Sequence, residues 1–303
     1  MGFKLYAELT LERPVLIAGW PGIGNIGLIA VDHLRRALKA EEFGEIEPWD
    51  FFYPEGLKIR EGELDSLKFP RNKFYYTRTG QRDLIFFVGE EQPTNVRRAY
   101  AAGEKAYNIA NLVLDVAQSL GCERVYTSGA AVARVHHTLK SKVWAVPNME
   151  SLLGEIRSYH NTVLMSDIEG RRGQGKIAGL NGLLLGVARK RGVEAICIMG
   201  EIPIYLQGLS VSYPKASQSV LEVLTTALGI TVGMEEIGRR VERSESEIDD
   251  LYHRFPAEIR AQLDRLRHVT DTKPIVPGPI TEEDKKQILE DIDKFFKRET
   301  EGD

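Results

Sequence analysis

A short apolar run, Val15-Leu16-Ile17-Ala18, stops at Gly19-Trp20-Pro21. Glycines at 22, 24 and 27 then open an apolar-periodic segment that reaches about residue 39. A β-branched run, a tight turn and a helix make a strand–turn–helix unit, which commits the start of the chain to a sheet covered by helices. The G-x-G-x-x-G spacing in that context is also the one a dinucleotide site uses. In such a site the backbone N–H groups of Gly22, Gly24, Asn25 and Gly27 approach a pyrophosphate, and the helix N-terminus adds partial positive charge. Two features weigh against it. Pro21 removes one donor and fixes one φ inside the turn. A ribose-binding acid should close a second strand about 20 residues on, yet residues 41–48 supply acids without a clean hydrophobic strand. The packing alternative gives Gly22 and Gly24 a positive φ or a close backbone approach. It puts Gly27 on the helix face against its strand, where a side chain would push the two apart.

Downstream the pattern repeats. β-rich stretches fall at 51–53, 73–79 and 83–89, and Leu84-Ile85-Phe86-Phe87-Val88 reads as a strand covered on both faces. Gly80-Gln81-Arg82 between the last two predicts an antiparallel hairpin. A helix capped by Thr94 or Asn95 runs to Gly121. Strands at 125–129, 142–146, 162–166 and 195–199 alternate with helices beginning near 148, over 180–190 and over 216–228. Such alternation predicts an α/β/α sandwich of three layers with parallel strand pairs.

Composition narrows the function classes. At 303 residues the chain can bury a large core, and 43% hydrophobic with 28% charged residues is ordinary for a globular protein. A net charge of −4 and a pI near 6.0 lack the basic footprint of a nucleic-acid binder. No apolar run approaches a membrane span, and the first residues lack the apolar core of a signal peptide. Cys122 and Cys197 form no disulfide framework and read as reduced thiols. The expectation is a cytoplasmic protein with neither a nucleic-acid nor a membrane partner.

Chemistry-bearing patterns are few. His136-His137 and His160 lack ligand spacing, and adjacent histidines on a strand point to opposite faces, so no metal is expected. Ser128 with one of these histidines and Asp167 lacks the nucleophile elbow of a hydrolase, so no catalytic residue is assigned. The loop Gly170-Arg171-Arg172-Gly173-Gln174-Gly175-Lys176 joins flexible N–H groups to three cations, Arg171, Arg172 and Lys176, a composition that favours an anion. It reads equally as an ordinary surface loop. Glu201 follows the apolar strand 195–200, at the sheet edge where α/β folds hold ligands. Two roles are open to it: a hydrogen bond to a ligand hydroxyl, or acceptance of N–H groups from the glycine turn, with Asn25 as its neighbour.

From Met234 the composition changes: residues 234–303 hold 19 acids and 13 Lys or Arg and no strand-like run. Ile237, Val241, Ile248, Leu251 and Tyr252 share one helical face, and Ile288, Leu289, Ile292, Phe295 and Phe296 share another. The division expected is a core over 1–233 and a charged helical extension over 234–303, docked on the core or free for a partner.

Three blocks in order carry a family resemblance. Gly19-Trp20-Pro21-Gly22-Ile23-Gly24-Asn25-Ile26-Gly27 is similar to the G-[FW]-P-G-x-G-x-x-G opening of the proteasome assembly chaperone 2 family. Gly179-Leu180-Asn181-Gly182-Leu183 with Cys197-Ile198-Met199-Gly200-Glu201-Ile202-Pro203 matches a second block, and Tyr213-Pro214-Lys215-Ala216-Ser217 a third. The resemblance covers roughly residues 12 to 233. It implies a fold like that of purine nucleoside phosphorylases and a non-catalytic assembly chaperone or scaffold. Such a scaffold works as a homo-oligomer, needs no cofactor, and has proteasome subunits or another protein as client. The family's hydrophobic-Tyr-any tail is not matched by Arg298-Glu299-Thr300-Glu301-Gly302-Asp303. The alternative class is an enzyme or sensor holding a nucleoside- or nucleotide-like ligand at the Gly22–Gly27 turn, with Glu201, Arg171, Arg172 and Lys176 as its other walls.

Overall fold

The computed structural model describes residues 2–93, 103–167, 176–209 and 211–268. The amino-terminal part contributes β1 (Phe3–Leu5), β2 (Val15–Gly19), α1 (Ile26–Ala37), β3 (Glu41–Ile46), β4 (Gly56–Arg60) and β5 (Glu63–Lys68). There follow β6 (Asn72–Thr77), β7 (Leu84–Gly89), α2 (Glu104–Ser119), β8 (Arg124–Ala133), β9 (Val143–Pro147), α3 (Leu153–Arg157) and β10 (Thr162–Leu164). The last elements are α4 (Gly179–Lys190), β11 (Glu194–Pro203), α5 (Pro214–Leu228), α6 (Glu235–His253) and α7 (Ala257–Asp264).

Nine strands form one mixed sheet in the order β1-β3-β6-β7-β2-β8-β11-β9-β10. The middle pairs β2–β7, β2–β8 and β8–β11 are parallel, whereas β6–β7, β3–β6 and β9–β11 are antiparallel. The central strands are those with uninterrupted apolar runs, because every position there faces a covering layer. All of Val15–Gly19 and nine of the ten residues of β11 are buried.

Alternation along each strand sorts the core into two sides. Leu16, Ala18, Ile85, Phe87, Val125 and Cys197 pack with α2 and α4. Val15, Ile17, Leu84, Phe86, Tyr126, Ile196 and Ile198 pack with α1, α5 and α6. Helices thus cover both faces of a large central sheet. The predicted hairpin is present, with Asn72 opposite Gly89 and Thr77 opposite Leu84.

Three expectations are corrected. Residues 51–53 are not a strand: Phe51 N–H and Phe52 N–H both donate to the Pro48 carbonyl (3.0 and 2.9 Å), closing a turn that buries the two rings. Instead the acidic segment Glu41–Ile46 is the strand. It lies near the sheet edge, where Glu42 faces solvent and pairs with Lys73 at 2.7 Å while Phe43 is buried. An edge position asks for one apolar face only, so a strand forms there without a continuous apolar run. The first helix begins at Ile26, after a single 3₁₀ turn over Ile23–Asn25. The proposed caps Thr94 and Asn95 lie outside the described residues.

In α6 the predicted face is buried: Ile237, Val241 and Ile248 join the core beside α1 and α5. Ser244 donates to the Ser212 carbonyl at 3.0 Å and Lys215 pairs with Glu245 at 2.7 Å, so polar contacts flank the apolar stripe. The second face, Ile288 to Phe296, lies outside the described residues. Among the described residues no helix is long and apolar enough to cross a membrane.

Candidate functional site

The glycine turn leaves the carboxyl end of β2 and is packed by its own chain. Gly24 has φ +62°, and a Cβ there would lie 2.9 Å from Ile202 Cδ1 and 3.1 Å from Tyr213 Cβ. Its carbonyl accepts the Tyr213 N–H at 2.8 Å. Gly27 sits in the first turn of α1 against β8, where a Cβ would fall 2.2 Å from the Ser128 carbonyl oxygen. The helix therefore lies closer to the sheet than any side chain permits, as the packing alternative expects. Gly22 is different. Its φ of −167° is ordinary extended backbone, and an added Cβ meets nothing within 4 Å, so neither a positive φ nor a close approach applies there. Asn25 takes the left-handed conformation at φ +50°, and its N–H closes the turn on the Gly22 carbonyl at 2.9 Å.

Glu201 does not join this turn. It is buried within β11, between Gly200 and Ile202, whose positions meet Ile26, Ala216 and Gly24 on the α1–α5 side. Strand alternation turns the carboxylate to the other face. There it accepts the Trp144 Nε1–H at 3.3 Å and the Lys142 N–H at 3.4 Å. Asn25 is correspondingly not its neighbour: β8 separates β2 from β11. Glu201→Leu should leave the buried Trp144 indole without this acceptor and cost about 1–3 kcal/mol, whereas Glu201→Gln keeps an acceptor and should cost less. Urea midpoints of the two variants measure the difference, and equal midpoints would remove the anchoring role.

Lys176 is exposed, just ahead of α4. Arg171 and Arg172 lie outside the described residues. The connection between the turn and α4 is instead made by Gln92, a residue that no local sequence pattern marks. Its Nε2 donates to the Pro21 carbonyl at 2.5 Å and its Oε1 accepts the Leu180 N–H at 3.0 Å. Around the same sheet end, Trp20 Nε1, Asn72 Oδ1, Ser128 Oγ and Asn181 Oδ1 are buried without a hydrogen-bond partner among the described residues. Buried polar atoms are normally paired, so these have hydrogen-bonding capacity that the described residues leave unused.

A second polar cluster lies where β8 meets α6 and α7. His136 and His137 do not point to opposite faces, because the strand ends at Ala133 and the chain turns. Their rings stack with centroids 4.2 Å apart, and Tyr252 stands 5.3 and 5.2 Å from them. His137 Nε2 lies 2.8 Å from Asp249 and its Nδ1 2.7 Å from the Tyr205 hydroxyl. A carboxylate only accepts, so these partners assign the Nε2–H tautomer, with Nδ1 accepting from Tyr205. Burial, helped by the neighbouring His137, holds His136 down to about 4, and burial lowers His137 as well. Among the described residues no group of three His, Cys, Asp or Glu is placed to hold a metal ion. Cys122 and Cys197 are buried thiols pushed up to about 11 by desolvation.

Comparison with known proteins places this architecture. An uncharacterised protein of Methanocaldococcus jannaschii is 29% identical over 242 residues, covering 80% of this chain and 84% of its own. The crystal structure of Pyrococcus furiosus PbaB, an archaeal proteasome activator, superposes with a TM-score of 0.68 at 25% identity, covering 82% of this chain and 97% of that one. Pyrococcus furiosus PbaA, an archaeal homologue of proteasome-assembly chaperone, superposes with a TM-score of 0.61 at 22% identity, over 88% of this chain and 97% of its own. The PAC2 family model matches residues 16–252, from β2 through α6. With the glycine turn, both helical layers and the docked α6 all inside that match, the chain belongs to the PAC2 family.

Proposed function

We propose that this protein is a non-catalytic assembly chaperone or interaction scaffold that acts on proteasome subunits, or on a comparable protein client, as a homo-oligomer in the cytoplasm. The observation that carries the reading is the glycine turn. Ile202, Tyr213 and the Ser128 carbonyl occupy the space beside Gly24 and Gly27, so the motif serves close packing of α1 on the sheet. Likeness to PbaB and PbaA supports the client class. The same proposal includes a three-layer α/β/α sandwich of the purine nucleoside phosphorylase type, supported by helices on both sheet faces, and a division at residue 233 into core and extension.

The test is direct. Purified chain mixed with archaeal 20S α and β subunits is expected to co-elute with one of them on gel filtration and to change the rate of particle formation. Absence of any complex at tens of micromolar would overturn the proteasome client.

A second reading rests on Trp20 Nε1, Asn72 Oδ1 and Asn181 Oδ1, which among the described residues have no hydrogen-bond partner and lie on the α2–α4 side near the carboxyl end of β2. It makes the protein a sensor of a nucleoside-like ligand. A ligand held only by the folded state raises stability by about 2.7 kcal/mol at a hundred times its dissociation constant. A thermal-shift screen of nucleosides and nucleotides therefore separates the two. A flat screen leaves the scaffold reading, and a shift abolished by Asn181→Leu establishes the ligand.

A further inference from the structure

Two of the three tryptophans are buried, Trp20 at 1% and Trp144 at 0%, whereas Trp49 is 66% exposed. Tyr53, four residues on, is 85% exposed. The two bracket the turn that closes on the Pro48 carbonyl, in which Phe51 and Phe52 are the rings that pack inward. The turn thus folds on its phenylalanines and leaves an indole and a phenol in water. One exposed aromatic is ordinary, but two beside a single turn form a patch.

The surroundings of the patch are acidic. Residues 41–57 carry six acids, Glu41, Glu42, Glu45, Glu47, Asp50 and Glu55, and no Lys, Arg or His. Trp49 meets Phe69 edge to face with centroids 4.6 Å apart, and Lys68, next in the chain, pairs with Glu55 at 2.5 Å. Glu91, just past β7, brings a further carboxylate to the same place: burial, and then the charge of nearby Glu55, raises its pKa. The bases close by are already engaged, Lys68 with Glu55, Arg71 with Glu90 and Lys73 with Glu42. Glu47, Asp50 and Glu91 have no ion pair among the described residues. The Tyr53 ring attracts a cation within the chain itself, since Lys105 Nζ stands 5.4 Å from its centroid.

We infer that Trp49, Tyr53, Asp50 and Glu91 form a docking surface for an arginine-bearing segment of a client protein. The inference rests on the scaffold reading above and names the chemistry of the client's contact. Charge selects the occupant. A second copy would bring the same acidic surface and be repelled, and so would the phosphates of a nucleic acid or an anionic membrane. A cation is drawn in, and an exposed aromatic face gives it a second attraction. Arginine suits both features better than lysine, because its planar guanidinium stacks on a ring while its edge donates to a carboxylate.

The experiment titrates the full chain with a short peptide of alternating arginine and glycine, with lysine–glycine and glutamate–glycine versions as controls. Trp49 is the exposed tryptophan, so quenching of intrinsic fluorescence by acrylamide reports on it. The arginine peptide is expected to protect Trp49 saturably, the lysine version to bind more weakly and the glutamate version not at all. Asp50→Asn with Glu91→Gln keeps the side-chain shapes and should weaken binding about fivefold to tenfold, with most of its salt dependence lost. Tyr53→Ala should weaken it by about fivefold. Absence of saturable protection, or equal binding by the doubly amidated variant, would overturn the surface. So would a lower mass by light scattering for Trp49→Ala with Tyr53→Ala than for wild type, which would give the patch to a second copy. The assay contains no proteasome subunit, so its failure removes this surface alone, and co-elution with those subunits decides the client reading separately.

Discussion

Gly27→Val should destabilise the protein by about 3 kcal/mol or more, while Gly22→Ala, five residues earlier in the same motif, should stay within about 0.5 kcal/mol of wild type. The contrast follows from what each new Cβ meets. At position 27 it falls 2.2 Å from the Ser128 carbonyl oxygen, 2.5 Å from its carbon and 3.0 Å from the Gly129 nitrogen. These are backbone atoms of a central strand and cannot swing aside, so α1 must lift from the sheet or β8 must bend. At position 22 there is no atom within 4 Å and the backbone is extended. Gly24 falls between them, since its positive φ strains any L side chain but its near neighbours are side chains. Urea midpoints rank the three. A wild-type midpoint for Gly27→Val would show that the motif is not a packing device and would return weight to ligand binding.

Acid should loosen α6 and α7 from the core before the sheet unfolds. His136 titrates near 4 in the folded protein and near 6.5 when unfolded, so the unfolded chain binds its proton first. Stability from this group is therefore complete above pH 6.5 and is lost as pH falls through 4. His137 is shifted the same way. The groups facing the pair are Tyr205, Lys215, Asp249, Tyr252, Asp264 and Arg267, and Asp249 and Asp264 offset part of the repulsion. Solvent on the outer side of α7 screens the charges, so the loss attributable to His136 should be about 1–2 kcal/mol, below the full conversion of the shift. Limited proteolysis between α5 and α6 at pH 7.5 and 4.5 should show cleavage rising on acidification. His136→Phe keeps a ring beside Tyr252 and should flatten the response relative to wild type. A variant with the wild-type pH dependence would exclude the histidine as its cause.

The sequence determined more of the fold than of the site. The run Leu84–Val88, the strand Val15–Gly19 and the buried stripe of α6 were legible because burial imposes a period of two, of one or of 3.6 that a short window reveals. The close seat of Gly27 was legible for a related reason: a glycine in the first turn of a helix after a strand has few other uses. What escaped notice depends on partners distant in the chain. Glu201 follows the same apolar run whether it faces the glycine turn or Trp144, and only its place in β11 beside β9 decides which. Gln92 bridges Pro21 to Leu180 across 71 and 88 positions, with no local pattern to mark it. The histidine pair stacks because β8 ends at Ala133 and α6 and α7 close over it, both of which are tertiary events. Local periodicity fixes which elements form, since each residue's face is set by its neighbours in the chain. Which side of the sheet a polar group meets, and what it meets there, is fixed only when strands far apart in sequence take their order.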